Sequence, residues 1–279
     1  MQDVFSHCEA IVRAADKDRF LSALFGPAEH RGALYALYAF NVEVARIRDR
    51  VKEPLAGEVR LQWWREALSG ERPIEARGHP VACALVEVIG RYGLPLRLFD
   101  ELIEARRFDL GDEAPGSLDQ IERYAGHTSS NLIELAARVL GAATPKIAGP
   151  AGVSMSIAGL LHRFAADAAR GRLVVPADLL ERHGVSPQDV LAGQSSDGLV
   201  AALAGLRDVA ARRYEEARAL AAETERKVLA AWLPVSLVPL DLRALQRRAR
   251  QPFVPVEVAQ WRRQWALWRA ARKGFPGAL

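Results

Sequence analysis

The side chains best suited to chemistry in this chain are carboxylates and polar groups on predicted helices. Tyr38, Asn41, Ala45 and Asp49 recur at three- and four-residue steps, so a helix would place them on one side. Carboxylates that share a cavity can hold Mg²⁺ ions, which grip a diphosphate and draw off its charge. That chemistry needs two aspartates at i and i+4 on each of two helices, because one aspartate per helix supplies too few ligands.

Other common chemistries lack their sequence signatures. The chain contains no G-x-S-x-G, no P-loop and no G-x-G-x-x-G. Its six histidines never pair at i and i+4, and no Cys/His spacing indicates zinc. The two cysteines, Cys8 and Cys83, argue against a disulfide scaffold and favour a reducing compartment.

The elements that must position these side chains are predicted to be helices along the whole chain. One helix is predicted over residues 28–50, and another over about 196–230. Asp18 is expected to cap the second helix, and Ser117 with Gln120 forms a capping-box pattern. SGERPIEARGHP is predicted to be a loop, and RLVVP is the only strand-like run, too short to make a sheet. We therefore predict one all-α domain over residues 1–279.

Composition supports a globular protein. Half of the 279 residues are apolar and 26% are charged with mixed sign, which is enough to bury a large core. No run of about 18 apolar residues predicts a membrane span, and the first residues do not resemble a secretory signal.

The positive charge is concentrated at the C-terminus. From Asp241 onward the chain carries nine Lys or Arg and two Asp or Glu. In a predicted basic helix over about 256–273, Trp261, Trp265 and Trp268 form one stripe. We expect the stripe to pack on the bundle with Trp265 buried, and the Arg/Lys side to be a secondary docking face. The alternatives are a helix lying on an anionic membrane surface and a simply solvated face. No nucleic-acid partner is expected.

One stretch resembles a known family. YALYAFNVEVARIRD is similar to the first motif of the squalene/phytoene synthases. The resemblance is closer to a degenerate branch, which contains the mitochondrial respiratory complex I assembly factor with a squalene/phytoene synthase-like domain. Features shared with that branch are residues 39–43, Asp49, Glu53, the Arg60–Trp64 run, and the middle motif at Tyr124 and residues 128–132.

The resemblance assigns motif positions residue by residue. In the active enzymes the first motif has two aspartates, which fall on Ala45 and Asp49, and an arginine, which falls on Val42. The second motif keeps Asp167, Gly171, Arg172 and Pro176, whereas its Gln, Asn, Arg and first Asp fall on Ser156, Gly159, His162 and Arg163. An early phosphate-contacting His/Ser pair falls near Asp16 and Lys17. Tyr38 and Asp109 match positions that the family retains.

The resemblance implies an isoprenoid-synthase-like helical bundle around a central cavity, with its prenyl transfer chemistry lost. At most Asp49 and Asp167 would then face each other, and Arg163 would pair with Asp167 at i+4. The degenerate positions are Ala45, Asp49, Arg163 and Asp167, and the candidate ligand-binding residues are Tyr38, Asn41, Asp109 and Arg172. For Tyr38 and Trp64 core packing is the default expectation.

Two functions follow from the resemblance. The first is a non-catalytic role in complex I assembly, with complex I subunits or assembly proteins as partners and no cofactor. The protein would then be cytoplasmic and peripheral on the inner membrane, or on the matrix side in mitochondria. A prenyl lipid is a further candidate partner. The alternative is an active head-to-head prenyltransferase of isoprenoid biosynthesis, which would need Mg²⁺ held by Asp49 and Asp167.

Overall fold

The computed structural model describes residues 2–111, 113–142, 145–221, 224–275 and 277. These residues form α-helices, short 3₁₀ segments and one π-helical turn, with no β-strand among them. The predicted all-α class is confirmed. The helices in the described ranges are α1 Gln2–Ala15, α2 Lys17–Ala23, α3 Ala28–Ala45, α4 Ile47–Arg50, α5 Pro54–Ser69, α6 Pro73–Gly78, α7 Pro80–Tyr92, α8 Leu96–Ala105, α9 Leu118–Ala125, α10 Asn131–Val139, α11 Ala148–Ala169, α12 Ala177–Arg182, α13 Pro187–Leu191, α14 Asp197–Ala221, α15 Leu229–Trp232, α16 Val238–Arg247 and α17 Gln260–Lys273.

The chain divides into two compact units. The first contains residues 1–111, 130–148 and 224–234, and so holds α1–α8, α10 and α15. The second contains residues 112–129, 149–223 and 235–279, and so holds α9, α11–α14, α16 and α17. The single domain predicted over residues 1–279 stays a prediction.

Helix α3 is the centre of the first unit. It packs against α1, α7 and α10, and its residues from Ala33 to Phe40 are all buried. Apolar side chains surround this helix on nearly all sides, as expected of a helix enclosed by others. The first motif therefore lies in the core.

The predicted helix over residues 28–50 is interrupted. Helix α3 ends at Ala45, and Arg46 has φ −94° and ψ 0° before the short helix α4 begins. Asp49 therefore lies on α4 and does not continue the regular spacing of Ala45 on α3.

The predictions of helix caps and loops from local sequence were partly confirmed. The cap of α2 is Asp16, whose side chain accepts from the Arg19 amide, so the expectation for Asp18 was wrong. Ser117 caps α9 as predicted, while the Gln120 side chain accepts from Gly116. The segment before α7 that was predicted to be a loop contains the short helix α6. Its proline lies in the first helical turn, where proline is tolerated.

In the second unit, α14 packs against α12 and α16. It ends at Ala221, short of the predicted residue 230. Gly198 in its first turn is required sterically, because a Cβ there would lie 2.4 Å from the carbonyl oxygen of His183. The residues of RLVVP adopt no strand.

The middle motif contains a π-helical turn. Gly126–Ser130 form this turn between α9 and α10, and the Thr128 hydroxyl donates to the Tyr124 carbonyl over 2.7 Å. Such turns accommodate one more residue per turn than an α-helix and often occur at functional sites.

One stretch passes a length and composition test for a membrane span. Residues Arg226–Arg247 have a mean hydropathy of 1.5, but 72% of that window is buried inside the protein. The stretch consists of short helical segments, and Pro234 and Pro239 lie in the first turns of two of them. This burial is the pattern of a core segment, which passes the same test.

Candidate functional site

Tyr38 of the first motif is a core residue, as expected by default. Its side chain is 1% exposed, and the Arg19 guanidinium lies 5.8 Å from the ring centroid. Burial raises the pKa of Tyr38, and its hydroxyl has no hydrogen-bond partner among the described residues. Core packing explains why an aromatic ring occupies this position, but it does not explain why the ring carries a hydroxyl group.

Arg19 is a residue that the sequence reasoning missed. Burial alone would lower the pKa of Arg19, but the nearby Asp16 carboxylate outweighs that effect and the pKa is raised. Arg19 Nη1 lies 2.6 Å from Asp16 Oδ2. The position near which the family's early phosphate-contacting pair falls is therefore occupied by an acid that pairs with a partly buried arginine.

Two of the predicted ligand-binding residues, Asn41 and Asp109, accept hydrogen bonds from the same arginine, Arg106. Arg106 donates to Asn41 Oδ1 over 3.3 Å and to Asp109 Oδ2 over 3.1 Å. A guanidinium offers five donors in a fixed plane, so it can bridge two acceptors at once. Asn41 and Asp109 are thus brought together, and Arg106, three residues before Asp109, is the bridge that the sequence analysis did not name.

Three side chains that match the assembly-factor branch, Glu43, Trp63 and Trp64, lie around His79, which the resemblance does not include. His79 Nδ1 accepts from the Ala82 amide, so Nε2 carries the proton and lies 3.4 Å from Glu43 Oε2. The His79 ring lies 5.1 Å from Trp63 and 5.2 Å from Trp64. These branch-matching side chains stabilise the junction of α3, α5 and α7.

The remaining first-motif positions supply one carboxylate. Ala45 has no oxygen ligand, and Asp49 is exposed on α4. Of the two positions that the resemblance assigns to the first aspartate pair, only Asp49 carries a carboxylate.

The second motif lies on α11 in the second unit. Arg163 Nε is 3.8 Å from Asp167 Oδ2, with the Arg163 side chain 67% exposed and Asp167 buried. The predicted i to i+4 pairing is therefore present as a long ion pair. Arg172 follows Gly171, which has φ +75°, and its amide donates to the Asp167 carbonyl over 2.9 Å. That geometry ends the helix.

Another cluster in the second unit joins three helices. His162 Nε2 lies 3.2 Å from Asp241 Oδ1, at ion-pair distance but without hydrogen-bond geometry. Arg263 on α17 donates to both oxygens of the same carboxylate. Asp241 is buried on α16. The sequence reasoning missed Asp241, although an acid within the apolar run VSLVPLDL was a usable signal.

The polar position Ser156 also has a local partner. Its hydroxyl lies 2.7 Å from that of Ser129, the residue after Thr128 in the π turn. A serine pair at this distance is satisfied by hydrogen bonding within the second unit.

The donor set does not fit the Mg²⁺ ions of the active family members. In the described part of the chain, no three His, Cys, Asp or Glu side chains cluster as metal ligands. Arg163 places a cation beside Asp167, at a position where the metal requires an anion. No catalytic step through a metal ion follows from these residues.

A cleft of about 380 Å³ lies on α5 in the first unit. Arg65 and Arg107 line the cleft and form ion pairs with Glu104 and Glu58, respectively. None of the predicted site residues lines it.

The C-terminal helix differs from its prediction. Trp265 is 55% exposed, and Trp261 and Trp268 are 65% and 46% exposed. The expectation that Trp265 is buried was wrong. Leu267, Ala270 and Ala271 occupy the buried side of the helix instead. The helix begins at Gln260, four residues after the predicted start.

Solved structures identify the class of fold. A squalene synthase, HpnC from Alicyclobacillus acidocaldarius, has a TM-score of 0.78 at 23% identity, covering 90% of this chain and 96% of that one. A dehydrosqualene synthase has a TM-score of 0.80 at 20% identity, covering 96% and 95%. The chain has the all-α isoprenoid synthase fold.

Family membership follows from the sequence comparisons. The squalene/phytoene synthase family model matches residues 12–269, and the chain belongs to this family. NADH dehydrogenase (ubiquinone) complex I, assembly factor 6, from Bos taurus is 32% identical over 188 residues, 66% of this chain and 56% of that protein. The Homo sapiens protein of the same description is 30% identical, with the same coverage. A phytoene synthase from Mycobacterium tuberculosis is 26% identical over 208 residues, 73% of this chain and 68% of that enzyme. The match thus spans just over half the length of the assembly factors.

Proposed function

We propose that this protein is a non-catalytic member of the family that acts in respiratory complex I assembly. Relatives described as complex I assembly factor 6 are more similar to it, at 30–32% identity, than the phytoene synthase at 26%. Its partners are then complex I subunits or assembly proteins. Its place is the inner face of the energy-coupling membrane, or the matrix side in mitochondria.

The Arg163–Asp167 pair is the observation that carries this proposal. Ionisation of a prenyl diphosphate depends on clustered divalent cations that stabilise the leaving group. Ala45 removes one ligand, and Arg163 adds a positive charge 3.8 Å from Asp167. Both changes oppose the binding of those cations.

A second candidate is Mg²⁺-dependent head-to-head condensation of prenyl diphosphates. The similarity to a phytoene synthase and the retention of Asp49, Asp167 and Arg172 favour it. In that case Asp49 and Asp167 would supply the metal ligands. A prenyl lipid held partly by Arg172 is compatible with either candidate.

A deletion strain of the source organism discriminates the two candidates. We expect complex I activity to fall while hopanoid and carotenoid contents stay unchanged. The wild-type gene and the double variant Asp49→Ala, Asp167→Ala should restore complex I activity equally. Loss of prenyl products that only the wild-type gene restores would overturn the proposal.

A further inference from the structure

Helix α17 exposes three large aromatic side chains on one face. The tryptophan stripe (Trp261, Trp265 and Trp268) has exposed fractions between 46% and 65%. Its spacing of four and three residues keeps the rings aligned along the helix. Contiguous apolar surface of this kind, rimmed by polar groups, marks an interaction site.

Each ring of the tryptophan stripe carries an arginine. The guanidinium carbons lie 5.2 Å from the Trp261 centroid, 5.4 Å from Trp265 and 5.0 Å from Trp268, and they belong in order to Arg262, Arg269 and Arg272. Within the described residues, none of these three arginines forms an ion pair with a carboxylate. A guanidinium stacked on a ring keeps its N–H edge available for an anion.

The opposite side of α17 is already attached to the protein. Leu267, Ala270 and Ala271 are buried, and Arg263 binds Asp241. The tryptophan stripe is therefore not the side by which the helix packs on its own unit. The helix has five basic residues and no acidic one, so the complementary surface is anionic.

We propose that α17 docks the protein on the interfacial region of an anionic lipid bilayer. The indole rings would lie at the boundary between headgroups and acyl chains, where tryptophan is favoured. The three stacked arginines would bind headgroup phosphates. This inference rests on the membrane location proposed above and names the surface that would provide it, whereas the vesicle experiments below can fail without affecting the test of complex I assembly.

The shape of the site favours a bilayer over an acidic protein. A single helix with three protruding indoles is a convex ridge, and a protein partner would need a groove that matches it. A fluid lipid interface accommodates a convex ridge without a preformed groove, as it does for other amphipathic helices. The buried opposite face also holds α17 in one orientation, which lowers the conformational entropy lost on binding.

Vesicle co-sedimentation tests the electrostatic part. The full-length protein should bind vesicles of phosphatidylcholine with phosphatidylglycerol at low salt, and bind pure phosphatidylcholine far more weakly. The triple variant Arg262→Gln, Arg269→Gln, Arg272→Gln should bind about a hundredfold more weakly, because each basic residue near an anionic surface contributes roughly fivefold. The matched control Arg77→Gln, Arg182→Gln, Arg212→Gln removes the same charge from exposed positions elsewhere and should lose far less.

Tryptophan emission tests the insertion. Binding should shift the emission to shorter wavelength, and brominated acyl chains should quench it. The variant Trp261→Gln, Trp265→Gln, Trp268→Gln should lose the shift, the quenching and most of the binding. The control Leu55→Gln, Val59→Gln, Ile74→Gln removes apolar side chains that are 63–79% exposed and should retain all three.

Several results would overturn the proposal. They are no binding to anionic vesicles at low salt, equal losses in the test and control variants, and binding without quenching by brominated lipid. A self-association in solution that the tryptophan variant abolishes would instead assign the stripe to a second copy. A circular dichroism spectrum equal to wild type shows that a variant is folded.

Discussion

The resemblance places the two aspartate motifs on α3–α4 and on α11, and these two regions differ in the residue that stands where each motif has its first aspartate. On α3 the replacement is Ala45, next to a core in which Tyr38 and Phe40 are almost fully buried. On α11 it is Arg163, a mostly exposed cation whose Nε lies 3.8 Å from Asp167 Oδ2. Residues 33–40 of the first region therefore contribute mainly to core packing, whereas Arg163 in the second region is an exposed cation paired with a buried carboxylate. Substitutions in the two regions should therefore differ most in their effect on stability.

The largest expected effect is on α3. Phe40→Ala should lower the free energy of unfolding by about 4 kcal/mol, because it removes a fully buried ring. That ring lies 5.1 Å from Trp64 and 5.7 Å from Phe99. Urea unfolding followed by circular dichroism measures this change in the free energy of unfolding. The control Tyr38→Phe should change stability by less than about 1 kcal/mol, because the hydroxyl has no partner among the described residues. An equal loss in the control would show that the hydroxyl makes a contact.

The next effect concerns the buried carboxylate of the second unit. Asp241→Asn should cost about 3 kcal/mol, since it leaves the buried side of Arg263 without its counter-charge. Thermal unfolding provides the measurement. Asp119→Asn breaks an exposed ion pair with Arg123 in the same unit and should cost below about 1 kcal/mol. Similar losses of unfolding free energy in both variants would show that the ion pair between Asp241 and Arg263 is not a buried, stabilising one.

A smaller effect is expected at the second motif. Arg163→Ala should change the unfolding free energy by less than about 0.5 kcal/mol, because its pair with Asp167 is long and solvent-screened. Arg213→Ala offers a contrast on α14, since Arg213 binds Glu122 with two hydrogen bonds of 3.1 and 2.7 Å. That variant should lose about 1 kcal/mol. If Arg163→Ala lowers the unfolding free energy more than Arg213→Ala does, the Arg163–Asp167 pair stabilises the fold.

The smallest expected effect is on catalysis. Purified protein with Mg²⁺ and farnesyl or geranylgeranyl diphosphate should release no diphosphate above background. Ala45→Asp should not change that result, because Arg163 still repels the metal and Gly159 and His162 still lack the phosphate contacts of the family. Mg²⁺-dependent turnover by the unmodified protein, lost in Asp49→Ala or Asp167→Ala, would contradict this expectation. A phytoene synthase measured alongside controls the assay.

Helical periodicity predicted the all-α class, and the reason is local, whereas the isoprenoid synthase fold was predicted from the family resemblance. Apolar residues at 3.6-residue spacing determine which face is buried, so the all-α class and most helices could be read directly. The break at Arg46 carries no proline or glycine, and the helix over residues 28–50 was therefore predicted as continuous. Tertiary packing decides such breaks.

The partners of the site residues were less predictable. Asn41 and Arg106 are 65 residues apart, and only the fold brings them within hydrogen-bond distance. Trp265 illustrates a different limit. A helix with a tryptophan stripe and a second apolar side can bury either one, and the expectation taken from the family's terminal helix chose the wrong side.

The π turn at Gly126–Ser130 has a consequence for chain length in this region. Asn131 follows the turn and donates to Glu101 Oε2 over 2.9 Å and to the Leu98 carbonyl over 3.3 Å. Deleting one residue from the turn would restore regular α-helical winding and rotate everything downstream by about 100°. Asn131 would then point away from both acceptors. The middle motif should therefore tolerate substitutions more readily than single-residue insertions or deletions, since only the latter change its rotational phase.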